Sequence, residues 1–132
     1  MATIEQRRSL ITEIPGPRSR ELEARRQDAV SAGVSSGLPA YIAEGSGAIL
    51  RDVDGNQLID LGSGIAVTSV GHAHPAVAAA VGEQAARLTH TCFMVTPYEG
   101  YVAVAEQLAQ LTPGSHEKRS ALFNSGAEAV EN

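Results

Sequence analysis

The chain has 132 residues, of which 43% are hydrophobic and 19% are charged, and its formal net charge is −5. This composition is sufficient for a buried core and excludes a disordered tail. The acidic balance argues against nucleic acid as a partner, because neutralising phosphates requires clustered lysine and arginine side chains.

Cysteine content and hydrophobic patterning indicate the compartment. Cys92 is the only cysteine, so no disulfide can form within the chain, and this favours a reducing environment. No apolar run approaches the length of a membrane span. Residues 1–16 also lack the continuous apolar stretch of a secretory signal. We therefore predict a cytoplasmic protein that does not bind membranes.

The N-terminal half predicts a helical arm followed by a small antiparallel meander. Ser19 is placed to cap a helix that runs to about Val30, with acidic side chains in its first turn. From Tyr41 onward, short β-like runs alternate with turn residues, and Asp54-Gly55 is a strong hairpin signal between two of them. The following stretch, GSGIAVTSVGHAHP, is rich in glycine and predicts mostly loop.

Two amphipathic helices are predicted next. The first begins at Pro75, a residue type favoured in the first helical position, and continues to about His90. The second has Thr96 as its cap and Pro97 in the first position, and Glu99 completes a capping box.

Near the C-terminus, SALFNSGAEAVEN predicts a strand, a tight turn and the start of a helix. Residues 120–124 have consecutive apolar positions, as in a strand buried on both faces of an α/β sheet. Ser125 then offers a hydroxyl, and the amides of Gly126, Ala127 and Glu128 are expected to lack partners. Such amides, with the helix dipole, bind phosphate. Corners of this kind also occur in proteins that bind nothing there.

Four side chains of metal-binding types lie in one stretch: His72, His74, His90 and Cys92. Their spacing fits no familiar zinc pattern, so we predict no metal site. Cys92 is interpreted as a small buried side chain rather than a nucleophile. Three carboxylates raise the alternative of a catalytic acid pair: Asp52, Asp54 and Asp60. Hairpin turns, however, also use aspartate for their geometry.

Three stretches together resemble the start of class III pyridoxal-phosphate-dependent aminotransferases: DVDGNQLIDLGSGIAVTSVGHAHPAVAAAV, LTHTCFMVTPYEGYVAVAEQL and FNSGAEAVEN. The resemblance runs from about Tyr41 to Asn132, and GIAV and HTCFMV favour the branch that uses 4-aminobutyrate. It implies an α/β architecture of fold-type I, with a mostly parallel large-domain sheet, a small domain and a homodimer. Residues 1–66 would form the arm and the small-domain meander, and residues 67–132 the start of the large cofactor-binding domain.

The resemblance also implies a reaction and a set of site residues. The family moves the amino group of an ω-amino acid to 2-oxoglutarate with pyridoxal 5'-phosphate (PLP); from 4-aminobutyrate the products are succinate semialdehyde and glutamate. Ser125, Gly126 and Ala127 match the turn that holds the PLP phosphate through backbone amides. Ile65 matches a residue that lines the substrate pocket. Residues 91–98 match a loop near the dimer interface and the active site.

No catalytic residue is predicted in this chain. The family's lysine that bonds to PLP comes later in the family's sequence, and Lys118, the only lysine here, matches no catalytic position. The resemblance therefore predicts the N-terminal piece of a longer enzyme, inactive alone. Two alternatives stay open: another class III ω-aminotransferase, of acetylornithine or ornithine type, and a non-catalytic dimerisation or interaction remnant.

Overall fold

The computed structural model describes residues 4–132. These residues group into two compact units, one ending at Gln84 and the other beginning at Ala85. In chain order the elements are α1 Pro17–Ala29, β1 Ile42–Ser46, β2 Ile49–Asp52, β3 Gln57–Ile59, α2 Ser63–Ala66, α3 Pro75–Arg87, α4 Glu99–Leu111 and α5 Gly126–Glu131. None of the helices within residues 4–132 has the length and apolar character needed to span a bilayer. The domain boundary after residue 66 stays a prediction.

The predicted meander is confirmed. The three strands pair antiparallel in the order β1-β2-β3, with Gly45 opposite Leu50 and Leu50 opposite Leu58. In the turn between β2 and β3, Gly55 has a φ of 91°, which glycine adopts without steric cost. The Asp54-Gly55 signal therefore located this hairpin correctly.

A buried polar network holds the N-terminal residues against the hairpin. The Asn56 side chain is completely buried, and its oxygen accepts the backbone N–H groups of Ile11 and Thr12, both at 2.9 Å. Its amide nitrogen donates to Asp52 Oδ2 and to Thr12 Oγ1, each at 2.8 Å. Both hydrogens and both lone pairs of the amide are thus used, as burial requires.

Helix α1 begins two residues before the predicted cap, because its capping group comes from the hairpin. Pro17 occupies an N-terminal position, and Gly16 as N-cap contributes no side chain. The Asp54 carboxylate instead accepts the N–H groups of Arg18 at 2.8 Å and Ser19 at 3.0 Å. The prediction that Ser19 caps the helix is wrong: Ser19 is buried, and its hydroxyl donates to Asp54 at 2.6 Å. The acidic side chains predicted for the first turn lie beyond it.

Helices α3 and α4 confirm the two predicted helices, but their boundaries differ from the predicted ones. Helix α3 starts where predicted and ends about one turn early. Helix α4 starts at Glu99, after Tyr98, and has no side-chain cap. The predicted Thr96 cap is wrong because Thr96 belongs to the preceding turn, where its N–H donates to the Cys92 carbonyl at 2.8 Å.

The strand predicted over residues 120–124 is not formed within the described part of the chain. These residues are irregular, and Leu122 and Phe123 are exposed. A strand requires a neighbour that takes up its backbone hydrogen bonds, and no segment among residues 4–132 pairs with this one. The Leu122 N–H donates instead to the Tyr101 hydroxyl at 2.8 Å.

Replacing Asn56 with alanine should detach the N-terminal residues from the hairpin. The substitution leaves the amides of Ile11 and Thr12 without an acceptor, so we expect the free energy of unfolding to fall by roughly 1–3 kcal/mol. Hydrogen exchange at these two amides should accelerate. Gln107→Ala, which removes an exposed amide from α4, is the matched control and should change stability little. Unchanged protection of Ile11 and Thr12 in Asn56→Ala would contradict the network.

Candidate cofactor and substrate site

The C-terminal corner, residues 124–128, is built on a capping box. Ser125 is the N-cap of α5 and has an extended backbone. Its hydroxyl accepts the Glu128 N–H at 3.3 Å, and its own N–H donates to the Glu128 carboxylate at 2.9 Å. Two backbone donors at the helix start are thereby satisfied reciprocally. The Ser-x-x-Glu pattern in the sequence is the signal that locates this box.

Two backbone amides remain available at this corner. Among residues 4–132, the N–H groups of Gly126 and Ala127 have no acceptor, whereas that of Glu128 is bound to Ser125. The expectation of three free amides is therefore corrected to two. A side chain built on Gly126 would meet no atom within 4 Å, so the space beside its α-carbon is open. Free amides at a helix start, with open space beside them, fit an anion such as a phosphate group.

An aromatic cluster joins the loop of residues 91–98 to the segment that enters the corner. Phe93 stacks on Tyr101 with ring centroids 4.3 Å apart, and Tyr98 meets Phe93 edge-on at 5.6 Å. Because the Tyr101 hydroxyl accepts the Leu122 N–H, this cluster also fixes the backbone just before the corner. The sequence gives no signal for this contact, since Tyr101 and Leu122 lie 21 positions apart.

Ile65 lies in the other unit, on a strained turn. Every residue of α2 has a positive φ, with values of 50°, 61°, 63° and 61° from Ser63 to Ala66. The left-handed conformation costs about 1–2 kcal/mol for each residue that carries a Cβ, and it is a clear outlier for a β-branched residue. The Ile65 side chain is 94% exposed. Strain of this kind persists only where the surroundings impose it, and it clusters at functional sites.

The Asp60 carboxylate binds the backbone at the start of this turn. Its Oδ1 accepts the N–H groups of Gly62 at 2.9 Å and Ser63 at 2.8 Å. The N–H of Asp60 donates to the Ala48 carbonyl at 2.9 Å, which anchors the residue to the connection between β1 and β2. Asp60 therefore shapes a turn, as the geometric interpretation of the three aspartates predicted.

His72 binds the second carboxylate oxygen of Asp60. Its Nε2 lies 2.6 Å from Asp60 Oδ2, and its backbone exchanges hydrogen bonds of 2.9 and 3.0 Å with Gly47. The His72 ring also lies against Gly45, where an added Cβ would come within 2.9 Å of it. The hydrogen bond from His72, with backbone N–H groups of the α2 turn, holds the pKa of Asp60 below its ordinary 3.8. The carboxylate is only 12% exposed.

The other candidate side chains either bind the protein's own backbone or are exposed. Cys92 is exposed, so its prediction as a buried side chain is wrong. Asp52 and Asp54 accept backbone N–H groups of the hairpin and of α1. Lys118 donates to two backbone carbonyls of its own loop. Within residues 4–132, no three His, Cys, Asp or Glu side chains are grouped so that they could hold a metal ion.

The family model described as "Aminotransferase class-III" matches residues 30–132. The chain therefore belongs to the class III aminotransferase family, as the resemblance predicted. Its curated relatives include the 4-aminobutyrate aminotransferases of Mycobacterium tuberculosis (strain ATCC 25618 / H37Rv), 65% identical over 132 residues, and of Mycobacterium leprae (strain TN), 61% identical over 132 residues. Both alignments cover 100% of this chain, which spans 29% and 30% of the length of the two relatives.

Solved structures confirm the predicted α/β aminotransferase fold. The ornithine aminotransferase of Toxoplasma gondii ME49 is similar with a TM-score of 0.75 at 31% identity, covering 86% of this chain and 25% of that one. An omega-transaminase of Sphaerobacter thermophilus has a TM-score of 0.77 at 30% identity and covers 89% of this chain and 27% of that one.

Removing the His72 ring should raise the pKa of Asp60. In His72→Phe we expect the value to move toward 3.8, because the hydrogen bond from His72 is the largest cause of the depression. A depressed pKa contributes stability that is present above pH 3.8 and is lost as the pH falls through the lower folded-state value. Carbon-13 NMR titration of the Asp60 carboxyl measures this. His74→Phe, at an exposed histidine, should leave it unchanged, and an equal pKa in all three proteins would contradict the assignment.

Proposed function

We propose that this chain supplies the phosphate-binding corner and a donor-facing turn of a PLP-dependent 4-aminobutyrate aminotransferase. The observation that carries the proposal is the 65% identity, over the whole chain, to a 4-aminobutyrate aminotransferase. The reaction moves the amino group of 4-aminobutyrate to 2-oxoglutarate and yields succinate semialdehyde and glutamate. Because the chain spans 29% of that relative, the activity is proposed for the full-length enzyme.

The corner residues fit the cofactor's phosphate group. The free N–H groups of Gly126 and Ala127 would bind phosphate oxygens, and the Ser125 hydroxyl would add a third donor by turning away from Glu128, to which it now donates at 3.1 Å. When bound, PLP supplies the electron sink for amino-group transfer. The related ornithine aminotransferase of Toxoplasma gondii is described with PLP at its active site, which supports this choice of cofactor.

Ile65 would bind the amino donor through its apolar side chain. The side chain is exposed on a turn whose conformation is fixed by Asp60, so it is available for contact and held in place. A branched apolar side chain suits the methylene groups of an ω-amino acid, whose burial contributes about 0.8 kcal/mol each.

The chain has no group that could replace the lysine on which the family depends. Lys118 is its only lysine, and its ammonium group is bound to backbone carbonyls. The 132-residue chain alone is therefore expected to be inactive.

We further propose a homodimer in the cytoplasm. Helices α3 and α4 have apolar faces with no buried residue among those described, and amphipathic helices normally pack such faces against another element. The exposed free Cys92 is consistent with a reducing compartment. The identity to the 4-aminobutyrate aminotransferase, 65% against 31% for the ornithine aminotransferase of Toxoplasma gondii, favours the 4-aminobutyrate reaction.

Glutamate formation from 4-aminobutyrate and 2-oxoglutarate is the direct test. With added PLP, the full-length holoenzyme should form glutamate, and the 132-residue chain should not exceed the cofactor alone. 5-Aminovalerate is the informative competing donor, since a 5-aminovalerate aminotransferase of Pseudomonas aeruginosa is 46% identical over 108 residues. A preference for ornithine, or no turnover by the full-length protein, would refute the proposal.

Substitutions at the corner should weaken PLP binding in a defined order. Ser125→Ala deletes at most one hydrogen bond to a charged group, about 1.5–3 kcal/mol, which corresponds to roughly a ten- to hundredfold loss of affinity. Gly126→Val should weaken binding further, because it fills the open space that the phosphate would enter. Titration of the apo-enzyme with PLP, followed by cofactor absorbance, measures both.

Two control variants distinguish a direct effect on PLP binding from an effect on helix stability. Ser125→Thr keeps the capping hydroxyl and should retain most of the affinity. Gly82→Val adds the same side chain at a helix glycine that also has open space beside it, and it should leave PLP affinity unchanged. The corner assignment is wrong if Gly126→Val binds PLP as tightly as Gly82→Val.

A further inference from the structure

We propose that Asp60 is a positioning residue for the amino donor. Its carboxylate, held by His72, fixes α2 in the left-handed conformation and thereby sets the direction of the Ile65 side chain. The proposal rests on the proposed function, in which Ile65 contacts the donor. Asp60 acts only through the turn and does not itself touch a ligand.

The two oxygens of Asp60 have separate partners, and this makes the carboxylate a rigid link. Oδ1 accepts two consecutive N–H groups at the start of the turn, while Oδ2 is held by His72 Nε2. The His72 backbone is paired with Gly47, beside the strands. Beyond the covalent connection and the backbone bond to Ala48, the Asp60 side chain therefore links the turn to the meander through His72.

A second pair of contacts joins the start of the turn to Thr68, beyond its end. The hydroxyl groups of Ser63 and Thr68 lie 2.7 Å apart, and the Thr68 N–H donates to the Ser63 carbonyl at 3.0 Å. With Asp60 binding the start of the turn and Thr68 closing it from beyond its end, Ile65 has little freedom to leave its conformation.

The turn does not favour this conformation by itself. Three of its four residues carry a Cβ, and none is Asn or Asp, the types that enter the left-handed region most readily. Without the Asp60 carboxylate, the turn should relax toward negative φ. That change rotates the Cα–Cβ bond of Ile65 and moves its side chain away from the donor.

Donor selectivity of the full-length holoenzyme tests the proposal. In Asp60→Ala, the ratio of kcat/KM for 4-aminobutyrate to that for 5-aminovalerate should fall by about tenfold, within the discrimination that one methylene group allows. The change should lie mainly in KM, and the PLP dissociation constant should stay the same. Asp60→Asn should recover most of the selectivity, because its amide oxygen can accept the same two N–H groups.

A control substitution at another carboxylate distinguishes a loss of positioning from a general loss of stability. Asp54→Ala removes the carboxylate that caps α1, and it should leave the donor ratio unchanged even where it lowers the melting temperature. If Asp60→Ala does not fold, Asp60→Glu, which displaces the carboxylate by one methylene group, should change the ratio in the same direction. An equal effect of the Asp54 and Asp60 variants on the ratio would overturn the proposal.

A double-mutant cycle tests whether Asp60 acts through Ile65. When Ile65→Ala is already present, Asp60→Ala should change the ratio no further, since residues that act together are not additive. Amide exchange at Ile65 and Ala66 should also accelerate in Asp60→Ala. Additive effects, or unchanged exchange, would contradict the proposal.

The outcomes distinguish the two proposals. If Ile65→Ala changes the donor ratio and Asp60→Ala does not, the positioning role fails and the proposed function stands. If the unsubstituted holoenzyme turns over neither donor, or if Ile65→Ala has no effect on the ratio, both the donor role of Ile65 and the positioning role of Asp60 are wrong.

Discussion

The first unit depends on the turn between β2 and β3, where buried polar side chains connect segments far apart in sequence. Asn56 binds the backbone of residues 11–12, and Asp54 caps α1. Only Ile4 and Ile49 are buried hydrophobic residues in the described part of the chain. Satisfied hydrogen bonds therefore fix where the arm lies, because a buried polar group left without a partner costs more than a made bond contributes.

The two candidate segments, the corner at Ser125 and the turn that carries Ile65, are built in different ways. The corner at Ser125 is local, since Glu128 closes it from three positions away, so it can keep its shape within one short segment. The turn that carries Ile65 is not local: its start is bound by Asp60, which in turn contacts His72 and the connection between β1 and β2. Binding of the cofactor's phosphate and selection of the donor should therefore respond to different substitutions.

Sequence patterns predicted several features that short-range rules control, although the Thr96 cap, another short-range prediction, was wrong. The hairpin followed from Asp54-Gly55, and the start of α3 followed from Pro75. Three other features escaped because their partners lie elsewhere in the chain. The Ser19 hydroxyl binds the capping Asp54 instead of capping α1, and residues 120–124 have no strand partner among the described residues. The backbone at the start of α2 is bound by Asp60. The family resemblance supplied the proposed role of Ile65, and it agreed with the phosphate-binding hypothesis that the free amides of the corner had suggested.

The central proposal is that residues 125–127 bind the PLP phosphate and that the turn carrying Ile65 contacts the amino donor in the full-length enzyme. A crystal structure of the full-length holoenzyme with PLP and an unreactive 4-aminobutyrate analogue tests it most directly. The account predicts phosphate oxygens about 2.7–3.2 Å from the Gly126 and Ala127 nitrogens, and Ile65, still at positive φ, in contact with the analogue. A phosphate group bound elsewhere, or an Ile65 that does not contact the analogue, would contradict it.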